Sequence, residues 1–174
     1  MKKIVIITGT PHPHGSSLDL ADAFEAASKK AGNDVYRFDA GLRQDEMDFL
    51  KLDENETTIH DNDVISREVM PKLIDADVVV LVTSLYYYGI NAELKAVIDR
   101  FYEHNHDLKD KQSAVLISGY GVGDAYDSMK LYFKQLQKYM RWEDLGLVLG
   151  EDSWNSRKHA AAVKEAAQLG SQIK

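Results

Sequence analysis

Nine residues near the start of the chain, Gly9-Thr10-Pro11-His12-Pro13-His14-Gly15-Ser16-Ser17, combine hydroxyls, imidazoles and glycines with few bulky groups. Gly9 and Gly15 let the backbone turn and approach a ligand closely. Thr10, Ser16 and Ser17 supply hydroxyls, and His12 or His14 can add charge. The stretch that follows reads as a helix, so free N–H groups and the positive end of a dipole face the same place. That dipole is worth ~0.3–1 kcal/mol, so charge-assisted hydrogen bonds would dominate. The chemistry this serves is the binding of a phosphate dianion. The pattern is neither G-x-x-x-x-G-K-[ST] nor G-x-G-x-x-G, which excludes the usual P-loop and dinucleotide fingerprints.

Two further segments carry similar chemistry. Thr83-Ser84-Leu85-Tyr86-Tyr87-Tyr88-Gly89-Ile90-Asn91 places three tyrosines in a row at a strand end. They cannot all enter one core, so at least one faces a cleft, where a flat ring can contact a planar ligand. Ser118-Gly119-Tyr120-Gly121-Val122-Gly123-Asp124 spaces three glycines at alternate positions, which opens main-chain groups to a ligand edge. Each segment alone has a plainer reading: a capped helix entry, a strand tail rich in tyrosine, a loose turn. Together they fit a planar heterocycle with a phosphate tail.

What must hold these loops is a set of buried strands alternating with amphipathic helices. Strands are predicted at Ile4–Thr8, Asp34–Phe38, Val78–Thr83, Ala114–Ser118 and Leu145–Leu149. The runs IVIIT, VVVLVT and AVLIS are apolar at consecutive positions, as in a sheet covered on both faces. VYRF and LGLVL are weaker and suit its edges. Helices are predicted over about Ser17–Ala31, Asp63–Ile74, Asn91–Tyr102, Ala125–Tyr139 and Asn155–Gln172, the first capped by Ser16 and ended by Gly32. Such alternation gives an α/β, doubly wound, five-stranded parallel sheet of flavodoxin-like type, order 2-1-3-4-5, with helices on both faces. Ligands then sit at the carboxyl ends of the strands, between strands 1 and 3. The acidic, poorly periodic segment Gly41–Asn62 reads as a surface excursion forming a rim or lid. No repeat or linker interrupts residues 1–174, which read as one domain.

Composition narrows the partners. A chain of 174 residues with net charge −7 does not favour nucleic acid or an anionic membrane surface. The absence of cysteine removes thiolate nucleophiles, disulfides and cysteine-held metal or iron–sulfur centres. IVII is too short for a signal core and VVVLV too short to span a bilayer, so a cytoplasmic protein without membrane insertion is expected. His104, His106 and Asp107 straddle the end of a helix, where histidines suit the dipole, and no metal site is expected there. Lys95, Asp99 and Arg100 read as surface or helix-packing residues. Both tryptophans of RWEDLGLVLGEDSW are assigned to packing or a subunit interface.

GTPHPHGSS resembles the G-[ST]-P-R-x-x-[GS]-[NS]-[ST] phosphate loop of the NAD(P)H-dependent FMN reductases and quinone reductases of flavodoxin-like fold. TSLYYYGINAELKAVIDRF is similar to their S-P-x-Y-x-[GF]-x-x-[AP]-x-L-K-x-[FWI]-[IL]-D-R stretch, and it is the more specific match. His12 stands where the pattern has arginine and Leu85 where it has proline. The resemblance covers about residues 1–125. It implies non-covalently bound FMN, reduced by NAD(P)H and reoxidised by a small acceptor such as a quinone, nitroaromatic or azo compound. It also implies that Thr10, His12, Ser16 and Ser17 line the phosphate, with Gly15 supporting the turn. Leu85, Tyr86, Tyr87, Tyr88 and Gly89 would border the ring and ribityl chain. Ser118, Gly119, Tyr120 and Gly123 would flank the other ring edge, with Tyr120 or Asp124 placed to donate or accept near the acceptor. A homodimer or higher homo-oligomer is implied as well. Two alternatives stay open: a flavodoxin-type electron carrier, whose T-x-T-G-x-T loop is shorter and lacks the two prolines, and a cofactor-free binding or sensing module on the same fold.

Overall fold

A computed structural model describes residues 1–59 and 62–174. In chain order the main elements are β1 (Lys3–Thr8), α1 (Ser16–Lys30), β2 (Asp34–Asp39), α2 (Met70–Asp75), β3 (Val78–Ser84), α3 (Ala92–Asp99), β4 (Gln112–Ser118), α4 (Asp127–Met140), β5 (Glu143–Gly150) and α5 (Ser156–Gln172). All five strands are parallel, in the order β2-β1-β3-β4-β5. The expected doubly wound architecture is therefore the observed one, with the two weaker strands at its edges.

The unbroken apolar runs are explained by two cores, one on each face. Val5 and Ile7 of β1, with Val79 and Leu81 of β3, point toward α2, α3 and α4. Ile4, Ile6, Val78 and Val80 point the other way, onto Leu20, Ala21 and Phe24 of α1 and Ala162 and Ala166 of α5. A strand that alternates its side chains between two covered faces must be apolar at every position. Helices α1 and α5 lie so close that a Cβ on Gly170 would sit 2.4 Å from the Phe24 carbonyl oxygen. Ser28 Oγ donates to the Gly170 carbonyl at 3.1 Å.

Several local expectations need correction. Ser16 does not cap α1; it is the first helical residue, and Gly15 is the N-cap, with no side chain bonding the first-turn amides. The segment expected to be one helix over Asp63–Ile74 opens as a wide π turn, Ile65–Val69, before α2. The stretch Asn91–Tyr102 narrows after α3 into a 3₁₀ turn, Arg100–Tyr102, and α4 is preceded by another, Gly123–Tyr126.

Arg100 is not a surface residue. Its guanidinium reaches Asp63 (Nη1 to Oδ2, 2.9 Å), Ser66 Oγ (2.6 Å) and the Asp48 carbonyl (3.1 Å), with only 7% and 3% of the Arg100 and Asp63 side chains exposed. This pair ties the excursion after β2 to the body of the fold. The excursion itself holds two 3₁₀ turns, Ala40–Leu42 and Gln44–Glu46, and an antiparallel bridge between Leu52 and Thr58; its residues 60 and 61 lie outside the described residues. Among the described residues no helix is long and apolar enough to cross a membrane.

Candidate functional site

The first turn past β1 is built by close approach. Gly9 continues the sheet by donating to the Val82 carbonyl at 2.9 Å, and a Cβ there would stand 2.6 Å from Leu94 Cβ. A Cβ on Gly41 would fall 2.1 Å from the Thr10 carbonyl oxygen, so the start of the excursion backs directly onto this loop. Thr10 is buried and its Oγ1 accepts from the His12 amide at 3.3 Å.

Hydroxyl pairs then join the loop to the ends of two strands. Ser118 Oγ donates to Ser16 Oγ at 2.8 Å, and Ser17 Oγ lies 2.9 Å from Ser84 Oγ. Behind them Asn91 Oδ1 accepts from the Ser84 amide at 2.8 Å and from Thr83 Oγ1 at 2.9 Å. The ends of β1, β3 and β4 are thereby held at fixed spacing around one opening.

That opening is a cleft of about 510 Å³, within the range of small-molecule sites. The first loop and α1 line it with Thr10, His12, His14, Gly15, Ser16 and Asp19, the segments after β3 and β4 with Ser84, Leu85, Tyr86, Ser118, Gly119 and Tyr120, and the segment after β5 with Ser153, Trp154 and His159. Gly15 leaves a cradle: a Cβ there would stand 3.3 Å from both Thr10 Oγ1 and His12 Cβ. The His12 ring stacks on Tyr86 with centroids 6.3 Å apart. Burial, with Glu93 and Tyr120 adding, pushes the Tyr86 hydroxyl above the ordinary tyrosine range. Gly119 also has no room for a side chain, since a Cβ would meet Leu85 Cβ at 2.8 Å and Tyr126 Oη at 3.1 Å.

The cleft thus brings together Thr10, His12, Gly15, Ser16, Leu85, Tyr86, Ser118, Gly119 and Tyr120 of the residues singled out from sequence. Ser17 is fully buried behind it. Tyr87, Tyr88, Gly89, Gly123 and Asp124 lie outside its lining. Tyr86 and Gly89 close a two-residue hairpin through paired backbone bonds of 3.0 and 2.8 Å. Tyr87 and Tyr88 at its tip have φ of 46° and 64° and point to solvent. The Gly123 amide donates to Glu151 Oε1 at 3.0 Å instead of facing a ligand.

Sequence reasoning missed the contribution that follows β5. Trp142 is core, with Nε1 donating to the Leu108 carbonyl, but Trp154 is 76% exposed. It stacks on Tyr120 with centroids 4.5 Å apart and lines the cleft. The signal was its place: Trp154 follows a strand's carboxyl end at the same sheet edge as the other three loops. Asp19 and His159 were also missed. His159 Nε2 lies 2.8 Å from Asp19 Oδ2, joining the first turns of α1 and α5.

A family described as having the flavodoxin-like fold matches residues 2–173. The chain belongs to that family. The flavodoxin-like chain is 24% identical over 177 residues to an iron-sulfur flavoprotein of Archaeoglobus fulgidus, an alignment covering 98% of this chain and 78% of the relative. Its fold is similar to that of an azoreductase from Bacillus anthracis (TM-score 0.75, 19% identity, 99% of this chain and 100% of that one). It is also similar to an NAD(P)H:quinone oxidoreductase from Methanothermobacter marburgensis (TM-score 0.76, 13% identity, 99% of each chain). An FMN-dependent NADH-azoreductase from Bacillus anthracis, solved in complex with FMN, matches with TM-score 0.71 and 16% identity over 99% of each chain. Unlike a protein that holds an iron–sulfur cluster through thiolates, this chain has no cysteine to offer one.

Proposed function

We propose that the chain is an FMN-dependent oxidoreductase that takes reducing equivalents from NAD(P)H and passes them to a small azo- or quinone-like acceptor. The observation that carries this is the meeting, in one cleft, of two chemically distinct sets of lining groups. In one, uncapped first-turn amides of α1 meet the Thr10 and Ser16 hydroxyls around the Gly15 cradle. Facing them, Leu85, Tyr86 and Tyr120 offer flat or apolar surface. A donor set of this kind fits a phosphate, and the second set fits a planar ring.

In this reading Thr10, His12, Gly15 and Ser16 hold the phosphate, with Ser17 as a support sealed against Ser84. Leu85, Tyr86, Ser118, Gly119 and Tyr120 border the ring. Bound flavin supplies hydride acceptance and release; the chain supplies the rest. The Ser16–Ser118 and Ser17–Ser84 pairs fasten the first loop to the ends of β4 and β3. Tyr86 and the Tyr120–Trp154 stack narrow the cleft and limit water. The Tyr120 hydroxyl, on the exposed edge, is the group placed to exchange a proton with an acceptor; Asp124 stands away from it. The same reading covers residues 1–174 as one domain in a cytoplasmic homodimer, whose assembly light scattering measures directly.

The test is an absorbance spectrum of the purified chain with added FMN, followed by NADH or NADPH under anaerobic conditions. A flavin spectrum that bleaches with either nucleotide and recovers on adding a quinone or azo dye is the expected result. Bound flavin that stays oxidised with both nucleotides overturns the reductase reading in favour of an electron carrier. No binding at excess FMN overturns the flavin reading itself.

A further inference from the structure

The cleft contains an electrostatic contradiction. No lysine or arginine lines it, and among its described lining residues Asp19 is the one carboxylate. Asp19 belongs to the first turn of α1, the end at which an anion has to sit. A bare carboxylate there opposes phosphate binding, and water screens the repulsion only in part, since the Asp19 side chain is 54% exposed.

We propose that His159, by donating from Nε2 to Asp19, lessens this opposition, and so favours a phosphorylated flavin in this cleft over an unphosphorylated one. The inference rests on the flavin reading above. Three observations support it. His159 Nε2 is 2.8 Å from Asp19 Oδ2; an ionised carboxylate only accepts, so the ring proton on that side belongs to Nε2. His159 Nδ1 is buried and without a partner among the described residues, so the ring's bonding to the protein is directed at Asp19 alone. The pair spans 140 residues of sequence and both members line the cleft beside His12, His14 and Ser16.

Two neighbouring charged groups, Lys158 and Glu151, are already engaged. Lys158 pairs with Asp152 at 3.0 Å, and Glu151 accepts from the Gly123 amide. His159 is thus a positioning residue: by donating to Asp19 it lessens that carboxylate's share of the potential which the α1 amides, the hydroxyls and the remaining imidazoles set for a phosphate. The plainer role for Asp19 is to complement the α1 dipole, with His159 serving only α1–α5 packing. The two roles differ in what they do to flavins with and without phosphate.

The experiment titrates the full chain, freed of flavin, with FMN and separately with riboflavin, following flavin fluorescence at pH 7. For His159→Ala, FMN is expected to weaken by about 5- to 20-fold while riboflavin stays within about twofold. Adding Asp19→Asn to His159→Ala should restore FMN binding to within about threefold of the parent. Asp19→Asn alone should bind FMN as tightly as the parent or more tightly, which keeps the inference testable if His159→Ala does not fold. Equal weakening of both flavins, a double variant as weak as His159→Ala, or weaker FMN binding by Asp19→Asn overturns the inference and leaves the flavin reading standing. A parent chain that binds neither flavin overturns the flavin reading, and the inference falls with it.

Discussion

Replacing Arg100 by methionine removes the cation from a carboxylate that the fold has buried. Asp63 then loses Nη1 at 2.9 Å and Nη2 at 3.4 Å, while Ser66 Oγ and the Asp48 carbonyl lose their shared donor. Breaking a buried pair from one side typically costs ~3–5 kcal/mol. Asp63 keeps the amides of Asp48 (2.9 Å) and Ser66 (3.0 Å), which places the loss at the low end, about 3 kcal/mol. For a chain of this size that is a fall in Tm of roughly 6–12 °C. The pH dependence adds a sign. Burial alone would raise the Asp63 pKa, but the Asp48 and Ser66 amides and then Arg100 outweigh it, so the carboxyl is held below the ordinary range. In the parent its contribution is therefore present above the unfolded pKa of about 3.9 and is lost as pH falls through the lower folded value. Without Arg100 burial weighs more, and protonation becomes easier in the folded than in the unfolded chain. Denaturant titrations between about pH 7 and 4.5 should show the gap between Arg100→Met and the parent narrowing as pH falls. A variant within 1 °C of the parent, at about a third of a kcal/mol, or a gap that does not change with pH, would refute the reasoning.

Three other perturbations test separate features. Gly15→Val fills the cradle against Thr10 and His12; FMN titration should show affinity reduced about tenfold or more, while thermal unfolding shows a cost near 1 kcal/mol for the poorer cap. Tyr88→Gly relieves a left-handed tyrosine in the Tyr86–Gly89 hairpin, and the urea midpoint should rise by the equivalent of about 1 kcal/mol. Tyr126→Phe deletes a buried hydroxyl that has no partner among the described residues and whose pKa burial, then Glu151 and Asp152, pushes up to about 12. Chemical denaturation should show the phenylalanine variant equal to or up to ~1 kcal/mol more stable than the parent.

The layout of strands was legible because both faces of this sheet are covered, which forces the apolar runs at β1, β3 and β4. The opening at their ends was legible because glycines and hydroxyls gather at the three loops next to the reversal of strand order. What stayed hidden depended on contacts between distant segments. Arg100 sits at the end of a helix in ordinary company, and only the fold brings Asp63 to it from 37 residues away. Tyr87 and Tyr88 have no turn-forming character, so nothing local announces their positive φ or their exit from the cleft. Trp154 shares its stretch of sequence with Trp142, which does serve the core, so nothing local announces its place at the cleft. The Ser16 cap failed by one position, because Gly15 already supplies the extended residue that a helix entry needs.

The dependence of α1 on α5 has a consequence for synthesis. Asp19 leaves the ribosome 140 residues before His159, an interval of about 7–28 s at ordinary elongation rates. Throughout it Leu20, Ala21 and Phe24 have only the sheet to pack on and await Ala162 and Ala166 of α5. Nor can β5 be added to the sheet before β4 has settled beside β3. The nascent chain is therefore at its most adhesive just before α5 emerges, and the ligand cleft is among the last parts of this fold to form. Substitutions that loosen the seat of Gly170 against Phe24 should lower the yield of soluble protein in cells by more than they lower the equilibrium stability of what does fold.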